Sequence, residues 1–292
     1  MTQAAHRGKF LHPRLLFTAF KYTIYLLLGV DTVLFFQEDL AASAATFGGS
    51  IGWNNLTEAF TASIDTAAWL VLLLLFELET AVIPDEKLEG SLKWFLMAVR
   101  VVCYGFIVSA FYGYIAKYAV IIDVSPYSVA DVCSLVGHDW SWVADFDEYP
   151  TLDAEACLLL QGETLLRVNG TQIIGSEAAL AAARDLAMID IVNAGTWLII
   201  VVLLEVEVWL QLREMLTEPQ IRVGKFVKGF FYAVLFVCAI LWGLWGDFLD
   251  FWDAFLWLVA FIFIEMNIFK WHEETEEAAE AEEGAQNQAI NR

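Results

Sequence analysis

The chain has 292 residues, of which 59% are hydrophobic and only 18% charged, and its formal net charge is −21. Soluble domains run nearer to half apolar and about a quarter charged, so this composition predicts an integral membrane protein with no room for a large separate catalytic domain. The strong acidic balance lacks the basic footprint of a nucleic-acid binder, which excludes nucleic acid and leaves the lipid bilayer as the expected partner.

A basic N-terminal stretch with Arg7, Lys9 and Arg14 precedes the first of six apolar runs, at residues 15–36, 66–84, 94–118, 188–210, 228–247 and 252–271. Each run approaches the roughly 20 residues that span a bilayer core. The first is longer than the apolar core of a cleaved signal peptide, so it is expected to be retained. The predicted fold is an all-α polytopic bundle of six transmembrane helices with a small α+β extracytoplasmic domain. Residues 1–118 would hold the N-terminus and three helices, 119–187 the extracytoplasmic domain, 188–271 three more helices and 272–292 an acidic tail. Orientation follows from Lys and Arg, which are in excess in cytoplasmic loops. Lys87 and Lys93 separate the second and third runs, and Arg213, Arg222, Lys225 and Lys228 surround the gap between the fourth and fifth. Residues 37–65 carry no Lys or Arg, and 119–187 carry only Arg167 and Arg184. Both termini are therefore expected in the cytoplasm of a cell (inner) membrane.

Within 119–187, two β-prone runs flank Asn169-Gly170, a hairpin signal that predicts a type I′ turn. Ser176 reads as an N-cap. From it one helix of about 36 residues, roughly 54 Å long, is expected to run to Leu212, with its first two turns standing above the bilayer and packing on the hairpin. Cys133 and Cys157 are the cysteines of this polar segment and are expected to form a disulfide. Cys103 and Cys238 sit in apolar runs and read as small core residues. The tail holds seven Glu between Glu273 and Glu283, a pattern expected of a solvated extension.

An internal repeat is suggested by two alignments. Asp65–Glu79 (DTAAWLVLLLLFELE) matches Asn193–Glu207 (NAGTWLIIVVLLEVE), pairing Trp69 with Trp197, Glu77 with Glu205 and Glu79 with Glu207. Lys93–Cys103 (KWFLMAVRVVC) similarly matches Lys228–Cys238 (KGFFYAVLFVC). Both copies would run in the same direction, giving parallel repeats of the kind whose interface holds transporter sites.

Ionisable residues inside a span are expensive and usually functional. Depths counted at 1.5 Å per residue place Lys21, Arg100, Glu77, Glu79, Glu205, Glu207 and Glu265 in one inner-leaflet layer. Residues two apart on a helix face opposite ways. Glu207 shares a stripe with Asn193 and Thr196, and Glu79 shares one with Asp65, so Glu79, Glu207, Glu265, Asn193 and Thr196 are expected to line a cation path. Glu77 and Glu205, on apolar faces, are expected to pair with Arg100 or Lys21. An all-oxygen set suits a bound hard cation such as Ca²⁺, Mg²⁺ or Mn²⁺, or protons; no other cofactor is implied. No Glu-x-x-His, phosphate loop or HExxH is present, so an enzyme is not expected. The expected function is a cation (or proton) channel or transporter. The alternative is a structural or sensory subunit, as a homo-oligomer or beside a membrane partner. A cavity reaching Glu79 and Glu207 would favour transport; a layer paired within itself would favour the scaffold.

Overall fold

The computed structural model describes residues 13–47, 51–53, 55–83, 90–144, 148–213, 215, 217–246 and 248–263. Its helices are α1 (Pro13–Phe47), α2 (Leu56–Ala59), α3 (Thr61–Glu77), α4 (Gly90–Ile122), α5 (Ala154–Leu160), α6 (Glu177–Leu212) and α7 (Glu218–Trp245). Residues 248–263 form a further helix, α8. Among the described residues, four helices are long and apolar enough to cross a membrane: Leu15–Phe47, Gly90–Ile122, Glu177–Glu207 and Pro219–Trp245.

Local chemistry explains the helix limits. α1 outruns its apolar stretch because Ala41, Ala42, Ala44 and Ala45 extend it with strong helix formers. α3 continues as a π-helical turn, Leu78–Val82, and ends at an extended Ile83, the residue before Pro84, where α geometry is disfavoured. The Thr217 backbone N–H donates to the Gln220 side chain at 2.9 Å, and Pro219 occupies the first turn of α7, where a missing N–H costs nothing. The predicted 36-residue helix is present as α6. Ser176 caps it, its Oγ accepting from Ala179 N–H at 3.1 Å.

Between α4 and α6 lies a four-stranded sheet of β1 (Val124–Pro126), β2 (Ser141–Trp142), β3 (Leu165–Val168) and β4 (Ile173–Ser176), in the order β1-β3-β4-β2. β3 pairs antiparallel with β1 and β4, and β2 is parallel to β4. The hairpin forms where expected, in the register Arg167↔Ile174, but its turn is not type I′. Gly170 alone takes a positive φ, of 78°. Asn169 is instead tied to β1: its Nδ2 donates to Asp123 and its Oδ1 accepts from Ser125, which holds the residue out of the left-handed region. Cys133 and Cys157 form a disulfide with Cα atoms 5.0 Å apart.

Leu180, Ala183 and Ala187 of α6 pack with Ile121, Val168 and Ile173, seating the sheet on the helix ends. The helices share a second core around Leu28, Ile107, Ile200, Leu235 and Leu256. The outer surface of the bundle is apolar, with Leu26 69% and Val101 62% exposed. An apolar surface this extensive calls for lipid contact.

Candidate functional site

Two polar zones lie inside the helical bundle, separated by an aromatic layer. The zone far from the sheet contains the glutamates singled out by sequence. Glu77, at the end of α3, is buried and accepts three bonds from α1: Lys21 Nζ at 2.5 Å, Tyr22 OH at 3.1 Å and Tyr25 OH at 3.4 Å. Glu79 stands on the π-helical turn and accepts from Arg100 of α4. Glu77 and Glu79 thus turn to different helices, as expected for residues two apart. Glu77 pairs with Lys21, one of the two cations expected for it, whereas Arg100 meets Glu79 in place of Glu77 or Glu205. Glu207 accepts from Lys228 at 2.7 Å and Glu205 from Tyr104 OH at 2.5 Å. Each of these four glutamates therefore has a donor from a neighbouring helix. Glu265 lies outside the described residues. Thr196 is buried with its hydroxyl on the Val192 carbonyl of its own helix at 2.6 Å, the usual outlet for a helical Thr.

The second zone is a partly open cavity of about 120 Å³ in the half of the bundle beneath the sheet. The ends of α1 and α4, the start of α6, α3, α7 and α8 all contribute to its wall. Five carboxylates line it (Glu58, Asp65, Asp190, Asp250 and Asp253) against the single ammonium of Lys117, among the described residues. Lys117 is itself committed, lying 2.9 Å from Asp39. Asp39 is buried and also accepts from Ser63 N–H at 2.9 Å and Ser63 Oγ at 2.6 Å, tying α1, α3 and α4 together beside the cavity.

The acids of the cavity wall differ from the glutamates of the first zone in what holds them. Asp65 accepts from Tyr114 OH at 3.3 Å and from the side chain of Trp69; Asp253 accepts from Trp257 Nε1 at 3.1 Å. Aromatic donors orient these carboxylates without neutralising them. Asp253 is within electrostatic reach of Asp65 and of Asp31 on α1. Asp31 is only 2% exposed, and its Oδ2 has no hydrogen-bond partner. The indole N–H of Trp242, which lines the cavity, is likewise buried and unpartnered. Glu58, on the short helix α2, is held above the usual carboxylate range by burial, which outweighs the opposing pull of Lys117.

The floor is aromatic. Trp69 and Trp197, the two matched tryptophans, stand 6.1 Å apart, and Phe261 lies 4.3 Å from Trp197 and 6.2 Å from Trp69. Glu77 and Glu205 follow these tryptophans by eight residues, about 12 Å along the helix. The cavity wall includes none of Glu77, Glu79, Glu205 and Glu207. Of the residues expected along a path, Asn193 is on the cavity wall and Thr196 is not; Asp65, expected on the Glu79 stripe, is on it as well.

Sequence reasoning passed over Asp31, Asp39, Asp190, Asp250 and Asp253. The signal was available: Asp31 interrupts the first apolar run and Asp253 the last, and an acid there is a functional candidate by default. Among the described residues, no three His, Cys, Asp or Glu side chains converge as metal ligands. Comparison of the chain with protein-family models, with curated proteins and with solved structures returns no match.

Proposed function

We propose that the chain is an integral membrane transporter that accepts a cation in the acidic cavity beneath the sheet and releases it on the opposite side. The observation that carries this reading is the concentration of five carboxylates and one already paired ammonium around a single partly open cavity. Hydrogen bonds from Tyr114 and Trp257 offset part of the desolvation cost of the Asp65 and Asp253 carboxylates there. The aromatic floor and the paired glutamates beyond it favour alternating access over an open pore, since both must rearrange before a cation leaves. In this reading α3 with its π-helical turn, and α8, complete a six-span bundle, with both termini in the cytoplasm and the sheet outside.

An internal repeat supports the same reading. At the offset of 128 that relates Glu79 to Glu207, Arg100 falls on Lys228, so each copy carries an equivalent ion pair. The starts of α4 and α7, Gly90 and Glu218, also coincide. Asp65 falls on Asn193, Trp69 on Trp197 and Tyr114 on Trp242, and all six line the cavity. This register replaces the alignment of Lys93 with Lys228, and it puts the cation site between the two copies, where repeat-built transporters keep theirs.

A second reading, a structural or sensory subunit, is favoured by the cross-helix bonding of the glutamate zone: Lys21–Glu77, Arg100–Glu79 and Lys228–Glu207. Flux assays on reconstituted liposomes separate the two. Transport predicts cation uptake that Asp65→Asn with Asp253→Asn abolishes. A folded protein that binds cations without moving any would establish the sensory reading. Reporter fusions at Ala285 and Gly162 test the orientation and should land on opposite sides of the membrane.

A further inference from the structure

We infer that Asp31 is a proton-binding site whose proton is exchanged for the cation of the acidic cavity. The inference rests on the reading of the cavity as a cation site and adds the ion that moves the other way. It is carried by where Asp31 stands, what surrounds it and how close the cavity lies.

Ile24, Leu28, Asp31 and Phe35 are all buried and share one face of α1 by helical spacing. Leu26, Val30, Val33 and Leu34, on the rest of the helix, are exposed. Asp31 therefore belongs to the stripe that meets other helices rather than lipid. It stands midway along Pro13–Phe47, about 24 Å or more from either end at 1.5 Å per residue. So short a side chain cannot reach a membrane surface from there, as a long charged one does.

Among the described residues, nothing on the neighbouring elements balances a charge at that point. Oδ2 of Asp31 has no hydrogen-bond partner. Lys21, about 15 Å away along α1, is held by Glu77. Lys117 is held by Asp39, about 12 Å away in the other direction. Tyr22 and Tyr25 are on Glu77, and Arg100 is on Glu79. The remaining ionisable groups of the elements packed on α1 are acids: Glu58 on α2, Asp65 on α3, and Asp250 and Asp253 on α8, with Glu38 on α1 itself. An ionised carboxyl in this setting is an uncompensated buried charge, whereas the neutral acid leaves only a hydroxyl to satisfy. The proton supplies what no side chain does.

The cavity is close by. Phe35, one turn beyond Asp31 on the same stripe, lines it, and Asp253 of its wall is within electrostatic reach of Asp31. A cation drawn against Asp253 brings positive charge towards Asp31 and stabilises its carboxylate. The O–H bond of the acid then breaks, its electron pair stays on the carboxylate oxygen, and the proton leaves to solvent through the partly open cavity. The coupling is reciprocal, so the returning proton weakens the hold on the cation.

The test is infrared difference spectroscopy of the full-length protein in phosphatidylcholine vesicles near neutral pH, which reads the carbonyl stretch of protonated carboxyl groups. The parent should show such a band, and Asp31→Asn should remove it; Asp31→Ser serves the same purpose if the first variant does not fold. Sodium, potassium or magnesium chloride, whichever cation the vesicles take up, should diminish the same band at matched ionic strength. The parent should then release about one proton per chain more than Asp31→Asn, as read by a pH-sensitive dye. No protonated band in the parent, or one that both variants retain, would overturn the inference and leave the cavity a cation site. A band that stays unchanged while a cation is taken up would overturn the exchange. A band lost in Asp31→Asn with no cation bound or taken up would uphold the proton site and remove the cavity reading, and the exchange with it.

Discussion

Replacing Glu77 by Gln should destabilise the protein far more than the same change at Glu79, two residues away. The Lys21 and Glu77 side chains are 9% and 5% exposed, whereas Arg100 and Glu79 are 34% and 24% exposed. Glu77→Gln strands an ammonium in a buried seam, and breaking a buried pair in this way costs about 3–5 kcal/mol. The remaining bonds from Tyr22 and Tyr25 do not offset this, because the amide oxygen of Gln can still accept them but cannot balance the charge. Glu79→Gln leaves a guanidinium with access to solvent, so the loss should be that of a partly screened pair, about 1 kcal/mol or less. A double-mutant cycle sharpens the contrast. Lys21→Met alone strands the carboxylate, but Lys21→Met with Glu77→Gln leaves no uncompensated charge and should recover most of the lost stability. The assay is unfolding of purified protein in mixed micelles by titration with a denaturing detergent. Equal midpoints for the Glu77 and Glu79 variants, or a double mutant as unstable as the sum of its singles, would refute a dry, paired seam between α1 and α3.

Reduction of the Cys133–Cys157 disulfide, or its removal by Cys→Ser at both positions, should lower the stability of the sheet domain by about 3 kcal/mol, the loop-closure value for a bridge of this span; hydrogen exchange at β3 and β4 reports it, and unchanged protection would contradict the estimate. Gly113→Ala should cost about 1–3 kcal/mol by overpacking, since a Cβ there would lie 2.5 Å from Thr61 Oγ1 and 3.0 Å from the Thr57 carbonyl; Thr61→Ala in the same chain should relieve part of that loss. Glu58, raised by burial from its ordinary 4.5, binds its proton more tightly folded than unfolded. Its contribution is therefore fully present below the ordinary value and is lost as pH rises through the folded one. Glu58→Gln should be more stable than the parent near neutral pH and lose that advantage below about pH 4.5, as read by thermal unfolding at both pH values.

The features legible in the sequence are those set by short stretches of chain. The apolar runs, the 36-residue helix closed by Ser176, the hairpin at Asn169-Gly170 and the Cys133–Cys157 bridge all follow from local hydrophobicity, capping, turn chemistry and the pairing of two cysteines in one polar segment. Helical angle alone also separated Glu77 from Glu79. Sequence could not say which cation each would meet, because that depends on how α1 and α4 are rotated and displaced against α3. Those settings come from side-chain packing summed over whole helix faces. The same reason hid the acidic cavity. Its walls draw on residues from Phe35 to Phe261, and nothing local to Asp65, Asp190 or Asp253 reveals that their helices converge. Even the turn at Asn169 was decided at a distance, by Asp123 and Ser125 some 45 residues earlier in the chain. Periodicity assigns a residue to a face of its own helix; only the packed bundle decides what that face meets.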